Sequence, residues 1–218
     1  VRKVHIFTTT LGFSSLVYAE IFLDEKTPNF IAGVTHAIQF YGGVAKYLVP
    51  DNLKTAIKKH TRDELVLQSA FSDLEDFYDT IVLPPPPRKP KGKPTVENHV
   101  RYLETHLVEK LQEKTSTSLE DLNRETQKIV ATLNSRNFQG KPYSRMDAFS
   151  KYDKPCMKPL PGGGYTVCDY KAVTGVPDNY HIEYDGHYYS VFYTYCGKPA
   201  ILKATPSEIR ICDQYNRL

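Results

Sequence analysis

The sequence predicts a mixed α/β layer fold followed by a small all-β unit. Before residue 134, runs of strand-forming residues and helical apolar stripes follow the order strand, strand, helix, strand, helix, strand, helix. After Gly162 the runs become short and alternate between apolar and polar residues. Asp185-Gly186, between two such runs, is a strong signal for a two-residue hairpin. We therefore predict domains at residues 1–134 and 162–218, joined by a connector at 135–161 that is rich in turn formers.

The composition is that of a soluble globular protein. Apolar residues make up 40% of the 218 residues, and the mean hydropathy is −0.45. No run approaches the roughly 20 apolar residues of a membrane span, and the start lacks a signal-peptide pattern. We therefore expect a cytoplasmic protein without membrane contact. The four cysteines form no Cys-x-x-Cys pair, which favours reduced thiols over a zinc site.

The first two strands form a predicted hairpin. Val4 to Thr10 and Leu16 to Phe22 are β-branched and aromatic runs joined by a short link at Gly12, which favours antiparallel pairing. A helix then follows, with Thr27 as the predicted N-cap and Pro28 in the first helical position. Gly42-Gly43 ends it. Its apolar face consists of Phe30, Ile31, Val34, Ile38 and Tyr41.

The next strand ends on an acid. The apolar run from Tyr47 to Val49 is closed by Pro50 and places Asp51 at its tip. The carboxyl ends of strands in α/β sheets are where ligands bind, so this acid is well placed for metal chemistry. The alternative is that Asp51 or Asn52 only caps a helical segment that follows.

Two further helical regions surround a short strand. Thr80 to Leu83 is predicted to be a strand that stops at Pro84 through Pro87. Ser118 with Asp121 resembles a capping box, with Asp in place of Glu. The apolar stripes that predict the helices are Leu67, Ala70, Phe71, Leu74 and Tyr78, then Val96, Val100, Leu103, Leu107 and Leu111, then Leu119, Leu122, Ile129 and Leu133.

The sequence of the last third of the chain predicts a small β-barrel. The predicted strands are Tyr165 to Val173, Tyr180 to Tyr184, His187 to Tyr193, Ala200 to Ala204 and Glu208 to Cys212. His181, Glu183 and Asp185 lie on one strand face, which alternation on an exposed face explains more simply than a metal site. The tyrosines of the hairpin could stack on bases, although aromatic residues are also ordinary strand residues.

Several motifs together resemble one family. They are Val49 to Thr55 (VPDNLKT), Arg88 to Lys91, Val96-Glu97, Leu160-Pro161, Asp178 to Glu183 and Tyr188 to Val191. This set resembles the IstA-type transposases of bacterial insertion sequences, in the retroviral-integrase-like superfamily with an Asp-Asp-Glu triad. The resemblance implies a ribonuclease-H-like mixed sheet. It places the first Asp on a strand before the hairpin, where Glu20 and Asp24 do not match. We therefore expect a fragment that lacks the first strand and is inactive alone.

The resemblance implies that Asp51 and Glu97 are catalytic residues and metal ligands. Two metal ions about 4 Å apart commonly serve phosphoryl transfer on DNA, and Mg²⁺ takes few protein carboxylates. Mg²⁺ is the expected cofactor, with Mn²⁺ as an alternative. For Glu97 the competing explanation is a stabilising acid in the first turn of a helix.

A basic loop lies directly before Glu97. Between Pro87 and Thr95 there are four cations and no acid, and Pro and Gly disfavour a helix. A solvated charge run is the alternative to contact with DNA phosphates. The predicted DNA-binding residues are Lys54, Arg88, Lys89, Lys91, Lys93 and Arg101.

The implied function is metal-dependent DNA cleavage at element ends followed by strand transfer, the work of a polynucleotidyl transferase. Its partners would be DNA at the element ends and at the target, further copies of the chain in a homo-oligomer, and an ATPase. Two alternatives remain open. One is a DNA-binding or assembly module without catalysis, and the other is a nuclease of the same superfamily, which cuts DNA but joins nothing.

Overall fold

The computed structural model describes residues 3–50, 62–83, 105, 108 and 118–213. In chain order the elements are β1 (His5–Thr10), β2 (Val17–Phe22), α1 (Thr27–Tyr41), β3 (Tyr47–Leu48), α2 (Arg62–Tyr78), β4 (Ile81–Val82), α3 (Leu119–Ser135), α4 (Arg145–Ala148), β5 (Asp169–Val173), β6 (His181–Tyr184), β7 (His187–Ser190), β8 (Ala200–Ala204) and β9 (Ile209–Asp213). Mixed sheets and helices are therefore confirmed. Among these described elements, no helix has the length and apolar character needed to cross a membrane.

The chain divides into two compact units that interleave in sequence. The first unit contains Val1–Ala45 and Pro86–Leu160, and the second contains Lys46–Pro85 and Pro161–Leu218. The segment predicted as a connector at 135–161 therefore falls almost entirely within the first unit. The predicted domain boundaries, which follow sequence texture, stay predictions.

The hairpin of the first unit forms as predicted. β1 and β2 pair antiparallel, from His5 opposite Phe22 to Thr10 opposite Val17. The helix α1 packs on this hairpin, and their shared core is lined by buried Leu16, Tyr18, Ala37, Tyr41 and Phe149. Burial of these side chains stabilises the layer by roughly 1.5–3 kcal/mol for each large apolar side chain.

The two ends of α1 differ in how well the sequence predicted them. Gly42 ends the helix in the left-handed region, at φ 62°, as predicted. At the other end the predicted N-cap is wrong, because Thr27 is already the first helical residue and Lys26 occupies the cap. Lys26 makes no side-chain cap bond. The Asp24 carboxylate instead accepts from the Lys26 backbone N–H at 3.0 Å and from the Asn29 side-chain amide at 2.7 Å.

The helix α3 covers the free edge of β2 with amide side chains. Asn134 accepts from the Val17 N–H at 3.1 Å and donates to the Val17 carbonyl at 2.8 Å. Asn123 does the same for Ile21, at 2.7 and 3.0 Å. These side chains take the place of a neighbouring strand. An otherwise open edge, which is an aggregation hazard, is thereby satisfied.

Capping also organises the end of the first unit. The Ser118 hydroxyl accepts from the Asp121 N–H at 3.1 Å, as predicted, while the Asp121 carboxylate bonds Arg124. A complete reciprocal capping box occurs instead at Ser144 and Asp147, at the start of α4. A π-helical turn (Phe149–Asp153) and a 3₁₀ turn (Lys154–Cys156) continue from α4, so this part of the predicted connector is folded.

The second unit holds two short parallel strands and the β-rich end of the chain. β3 and β4 pair parallel, and α2 lies between them in sequence. The predicted apolar face of α2 is confirmed by burial of Ala70, Phe71, Leu74 and Tyr78. All five residues of the helix stripe predicted from Val96 to Leu111 lie outside the described residues; within that span the structure describes only Thr105 and Val108, both helical.

The described strands of the C-terminal region form a three-stranded antiparallel sheet, β5-β8-β9, and a separate β6-β7 hairpin. The predicted barrel is therefore not confirmed. The hairpin turns at Asp185 and Gly186, both at positive φ (48° and 74°), as expected for an Asp-Gly turn. Both pieces share one core of Val176, Ile182, Ala200, Leu202 and Ala204.

A buried ion pair fastens α2 to this sheet. The Asp73 carboxylate accepts from the Lys203 ammonium at 2.6 Å and from the Tyr170 hydroxyl at 2.7 Å. The Lys203 side chain is only 8% exposed. Burial, the neighbouring Tyr165 and the Asp73 carboxylate raise the pKa of Tyr170, which therefore stays a neutral donor.

Candidate active site

The predicted catalytic and metal-binding residues, Asp51 and Glu97, lie outside the described residues. The same is true of every predicted DNA-binding residue, namely Lys54, Arg88, Lys89, Lys91, Lys93 and Arg101. The described part of the site is the frame that leads into these segments, formed by β3, β4 and α2.

The two strands of this frame run in the same direction. The Lys46 carbonyl accepts from the Ile81 N–H at 3.1 Å, and the Leu48 carbonyl accepts from the Leu83 N–H at 2.9 Å. The carboxyl ends of parallel strands lie at the same edge of a sheet. β3 therefore ends beside β4, two residues before Pro50 and at the edge where β4 leads to Leu83.

The outer edges of the two strands differ. The Val82 N–H, which faces away from β3, donates to the Glu75 carboxylate of α2 at 2.7 Å. On β3 the residues that face away from β4 are Tyr47 and Val49, and no described residue bonds to their backbone. Their side chains are 48% and 50% exposed, which is high for strand residues in a mixed sheet. Among the described residues, the outer side of β3 therefore has no strand partner, and Tyr47 and Val49 are half-exposed.

Glu20 and Asp24, two described acids of the first unit, are occupied by local contacts. The Glu20 carboxylate accepts from the Tyr18 hydroxyl at 2.8 Å and lies 2.9 Å from His36 Nδ1. Burial and this bond raise the pKa of Tyr18. The Lys26 N–H lowers the pKa of Asp24. Across the part of the chain that the structure describes, no three His, Cys, Asp or Glu residues are grouped so that they could hold a metal ion. Whether the site fits Mg²⁺ therefore rests on Asp51 and Glu97.

Two features were missed from the sequence. The Asp73–Lys203 pair joins residues 130 positions apart, and no local pattern signals it. The second is the large number of cations and aromatic rings within residues 136–158, which can be counted in the sequence itself.

Sequence similarity to known proteins extends along the whole chain. Residues 160–218 match the family model for the C-terminal domain of Mu transposase. A Sinorhizobium fredii protein named as a transposase is 32% identical over 218 residues, which is 100% of this chain and 42% of that protein. A Burkholderia multivorans protein named as a transposase for insertion sequence IS408 is 34% identical, over 87% of this chain and 36% of its own length. By sequence, the chain belongs with the insertion-sequence transposases.

The chain also matches the transposase for insertion sequence element IS21 of Pseudomonas aeruginosa. The identity is 25%, over 96% of this chain and 53% of that protein. The chain spans less than half the length of the first two relatives. Among solved structures, the HTLV-2 integrase catalytic core domain in complex with magnesium has a TM-score of 0.45 and 14% identity, over 67% of this chain and 93% of that one. At that score the likeness supports no conclusion about fold or chemistry.

Proposed function

We propose that this chain carries two metal-binding acids of a DNA transposase, Asp51 and Glu97, which act in cleavage at element ends and in strand transfer. The observation that supports this most is the parallel pairing of β3 and β4. Both strands end at one edge of the sheet. The segment that contains Asp51 follows β3 and the segment that contains the basic loop follows β4, so the two segments start from the same edge. A ribonuclease-H-like sheet would place its acids there.

The proposed chemistry is phosphoryl transfer in two steps. In the first, a water oxygen attacks the phosphorus at the element end, and the P–O3′ bond breaks to leave a 3′-hydroxyl. In the second, that hydroxyl attacks a target phosphorus, one target P–O bond breaks, and the number of phosphodiester bonds is conserved. Mg²⁺, or Mn²⁺, would activate the nucleophile and stabilise the departing oxygen. Asp51 and Glu97 would hold it.

The basic residues would hold DNA beside these acids. Arg88, Lys89, Lys91 and Lys93 lie within six positions and directly follow the prolines after β4. Cations gain affinity from phosphates by releasing counterions. Lys54 and Arg101, close in sequence to Asp51 and Glu97, would contact the strand being cut.

The resemblance to the Asp-Asp-Glu superfamily implies a third acid, and we propose that it lies on a strand beside Tyr47, Leu48 and Val49. Among the described residues, the outer side of β3 has no strand partner, which supports this. A homo-oligomer and a partner ATPase belong to the same proposal, and they rest on the resemblance to the transposases.

A strand-transfer assay on the intact protein tests the proposal. Asp51→Asn or Glu97→Gln should abolish cleavage and joining while DNA binding stays largely intact. Each replacement turns a metal-binding carboxylate into a neutral amide and removes no proposed DNA contact. Asp76→Asn, at an exposed acid of α2, is the matched control and should stay active.

The assay also separates the alternatives. Joining that persists in the Asp51 or Glu97 variant would remove that residue from the site. If the unmutated protein binds DNA but never cuts it, the binding or assembly module is the better description. Cutting without joining would identify a nuclease.

A further inference from the structure

Residues 136–158 of the first unit are strongly basic. They contain six Lys and Arg and only two Asp, an excess of four positive charges. The two acids are used in backbone capping. The Asp147 carboxylate accepts from the Ser144 N–H at 2.8 Å, and the Asp153 carboxylate accepts from the Ser14 N–H at 3.0 Å. The Ser144 bonds also lower the pKa of Asp147. Neither acid is paired with a lysine of the segment in these bonds.

Two exposed lysines of this segment lie over aromatic rings. Lys141 Nζ is 5.7 Å from the centre of the Phe138 ring and 5.4 Å from that of Tyr143. Lys151 Nζ is 5.2 Å from the centre of the Tyr152 ring. Within the described part of the chain, no carboxylate lies in ion-pair range of either lysine. Their charges therefore remain available to an anion.

An exposed aromatic pair adjoins one of these lysines. The Phe13 and Tyr152 rings lie 4.7 Å apart, centre to centre, at an angle of 54°. Phe13 is 65% exposed and Tyr152 is 46% exposed. The neighbouring bond from the Ser14 N–H to Asp153 holds the hairpin turn against the π-helical turn, which keeps the two rings together. Adjacent exposed rings on a rigid turn are typical of an interaction site.

We propose that Phe13 with residues 136–158 forms a second DNA-binding surface, separate from the loop at Arg88. Lys141 and Lys151 contact phosphates, and the pair of Phe13 and Tyr152 stacks on an unpaired base. A base presents a π-face to any aromatic ring, and cations beside the ring attract the adjoining phosphates. The inference rests on the proposed function in one respect, since it takes the polyanion to be DNA.

The C-terminal region provides a contrast. Phe192 is 78% exposed there, beside the exposed Tyr188 and Tyr193. Residues 162–213, however, contain four Lys and Arg against six Asp and Glu. An excess of negative charge repels phosphates, so exposed rings alone do not assign DNA binding to that region. Phe192 therefore serves as a control position.

The test measures DNA affinity of the intact protein as a function of salt, without divalent metal, on a single-stranded oligonucleotide and on a duplex. Lys141→Gln with Lys151→Gln should flatten the slope of log affinity against log salt by roughly 1.4 on the single strand, at about 0.7 for each phosphate contact. Phe13→Ala with Tyr152→Ala should weaken single-strand binding by about tenfold or more and leave the slope unchanged.

Matched controls guard against loss of folding. Lys128→Gln removes a lysine that pairs with Glu125 on α3, and Phe192→Ala removes an exposed ring from the acidic region. Neither should change affinity or slope. Lys141→Arg, Lys151→Arg and Tyr152→Phe preserve charge and ring, and should bind like the unmutated protein.

Unchanged affinity and slope in both double variants would overturn the inference. A second contrary result would be a loss of DNA affinity in the lysine variant alone, together with an equal loss of polyglutamate affinity in that variant. The surface would then fit an acidic protein. Since the assay contains no divalent metal and no cleavage step, its outcome is independent of Asp51 and Glu97. Failure of the catalytic proposal would leave the inferred DNA-binding surface unaffected, and failure of the inferred surface would leave the catalytic proposal unaffected.

Discussion

At the scale of single residues, polar side chains at buried positions connect distant parts of the chain. Asn134 is fully buried, and its amide satisfies both backbone groups of Val17. Asp73 satisfies Lys203 and Tyr170 in the same manner. Buried polar groups cost little when paired and a great deal when a partner is removed. These residues therefore stabilise the folds of the two units, while the residues proposed for chemistry lie elsewhere in the chain.

Replacing Asn134 tests the edge contact. Asn134→Ala should lower the free energy of unfolding by about 2 kcal/mol or more, because each buried group left without a partner costs roughly 1–3 kcal/mol. Urea denaturation of the intact protein measures it. Asn137→Ala, at an exposed residue of the same unit, should change little. Equal stability of the two variants would mean that water replaces the amide.

Breaking the buried ion pair should be more costly than replacing it. Asp73→Leu should destabilise the protein by about 3 kcal/mol, since it leaves the Lys203 charge buried. Asp73→Leu with Lys203→Met should lose less than the single change, because no charge is then left alone. A double-mutant cycle by urea denaturation measures both. Additive losses would show that the two side chains do not depend on each other.

At the scale of elements, the strands and helices of the candidate site have different supports. β4 is held by β3 on one side and by Glu75 on the other, whereas β3 has an open outer edge among the described residues. Leu83, which follows β4, donates its N–H to the Leu48 carbonyl at 2.9 Å. Backbone hydrogen bonds therefore hold the chain as far as the last described residue after β4.

If the basic loop contacts DNA phosphates, its charges should affect how DNA affinity depends on salt concentration. Neutralising Arg88, Lys89, Lys91 and Lys93 together to Gln should weaken duplex binding and flatten its salt dependence, because each phosphate contact contributes about −0.9 to the slope. A filter-binding or anisotropy titration across salt concentrations measures it. Lys26→Gln, at an exposed lysine beside Asp24, is the control. A slope that does not change would mean that the loop is only solvated.

At the scale of the whole molecule, each unit contains a small sheet with little support of its own. β1 and β2 make one two-stranded sheet, and β3 and β4 make another. Two-stranded sheets are marginal in water unless a further strand or a helix covers them. In the first unit α1 and α3 provide that cover. In the second unit β3 has only β4 as a strand partner within the described residues, which fits the further strand proposed beside it.

The sequence by itself determined the elements whose formation depends on neighbouring residues. The β1-β2 hairpin, the buried face of α2, the Gly42 end of α1 and the Asp185-Gly186 turn all follow from local periodicity or from backbone conformation at one position. The strand β3, which ends three positions before Asp51 in the sequence, belongs to the same class. The predicted N-cap at Thr27 was wrong because the helix begins one residue earlier, where the Lys26 carbonyl accepts from the Phe30 N–H at 3.1 Å.

Only the tertiary structure decided which distant elements meet. The contact between Asn134 and Val17 spans 117 positions, and that between Asp73 and Lys203 spans 130. The parallel pairing of β3 with β4, on which the candidate site depends, likewise needs the chain between them to return. Local patterns report which face of an element is apolar, but not which element covers it. Complementary side chains make that choice, because they must satisfy one another once water is removed.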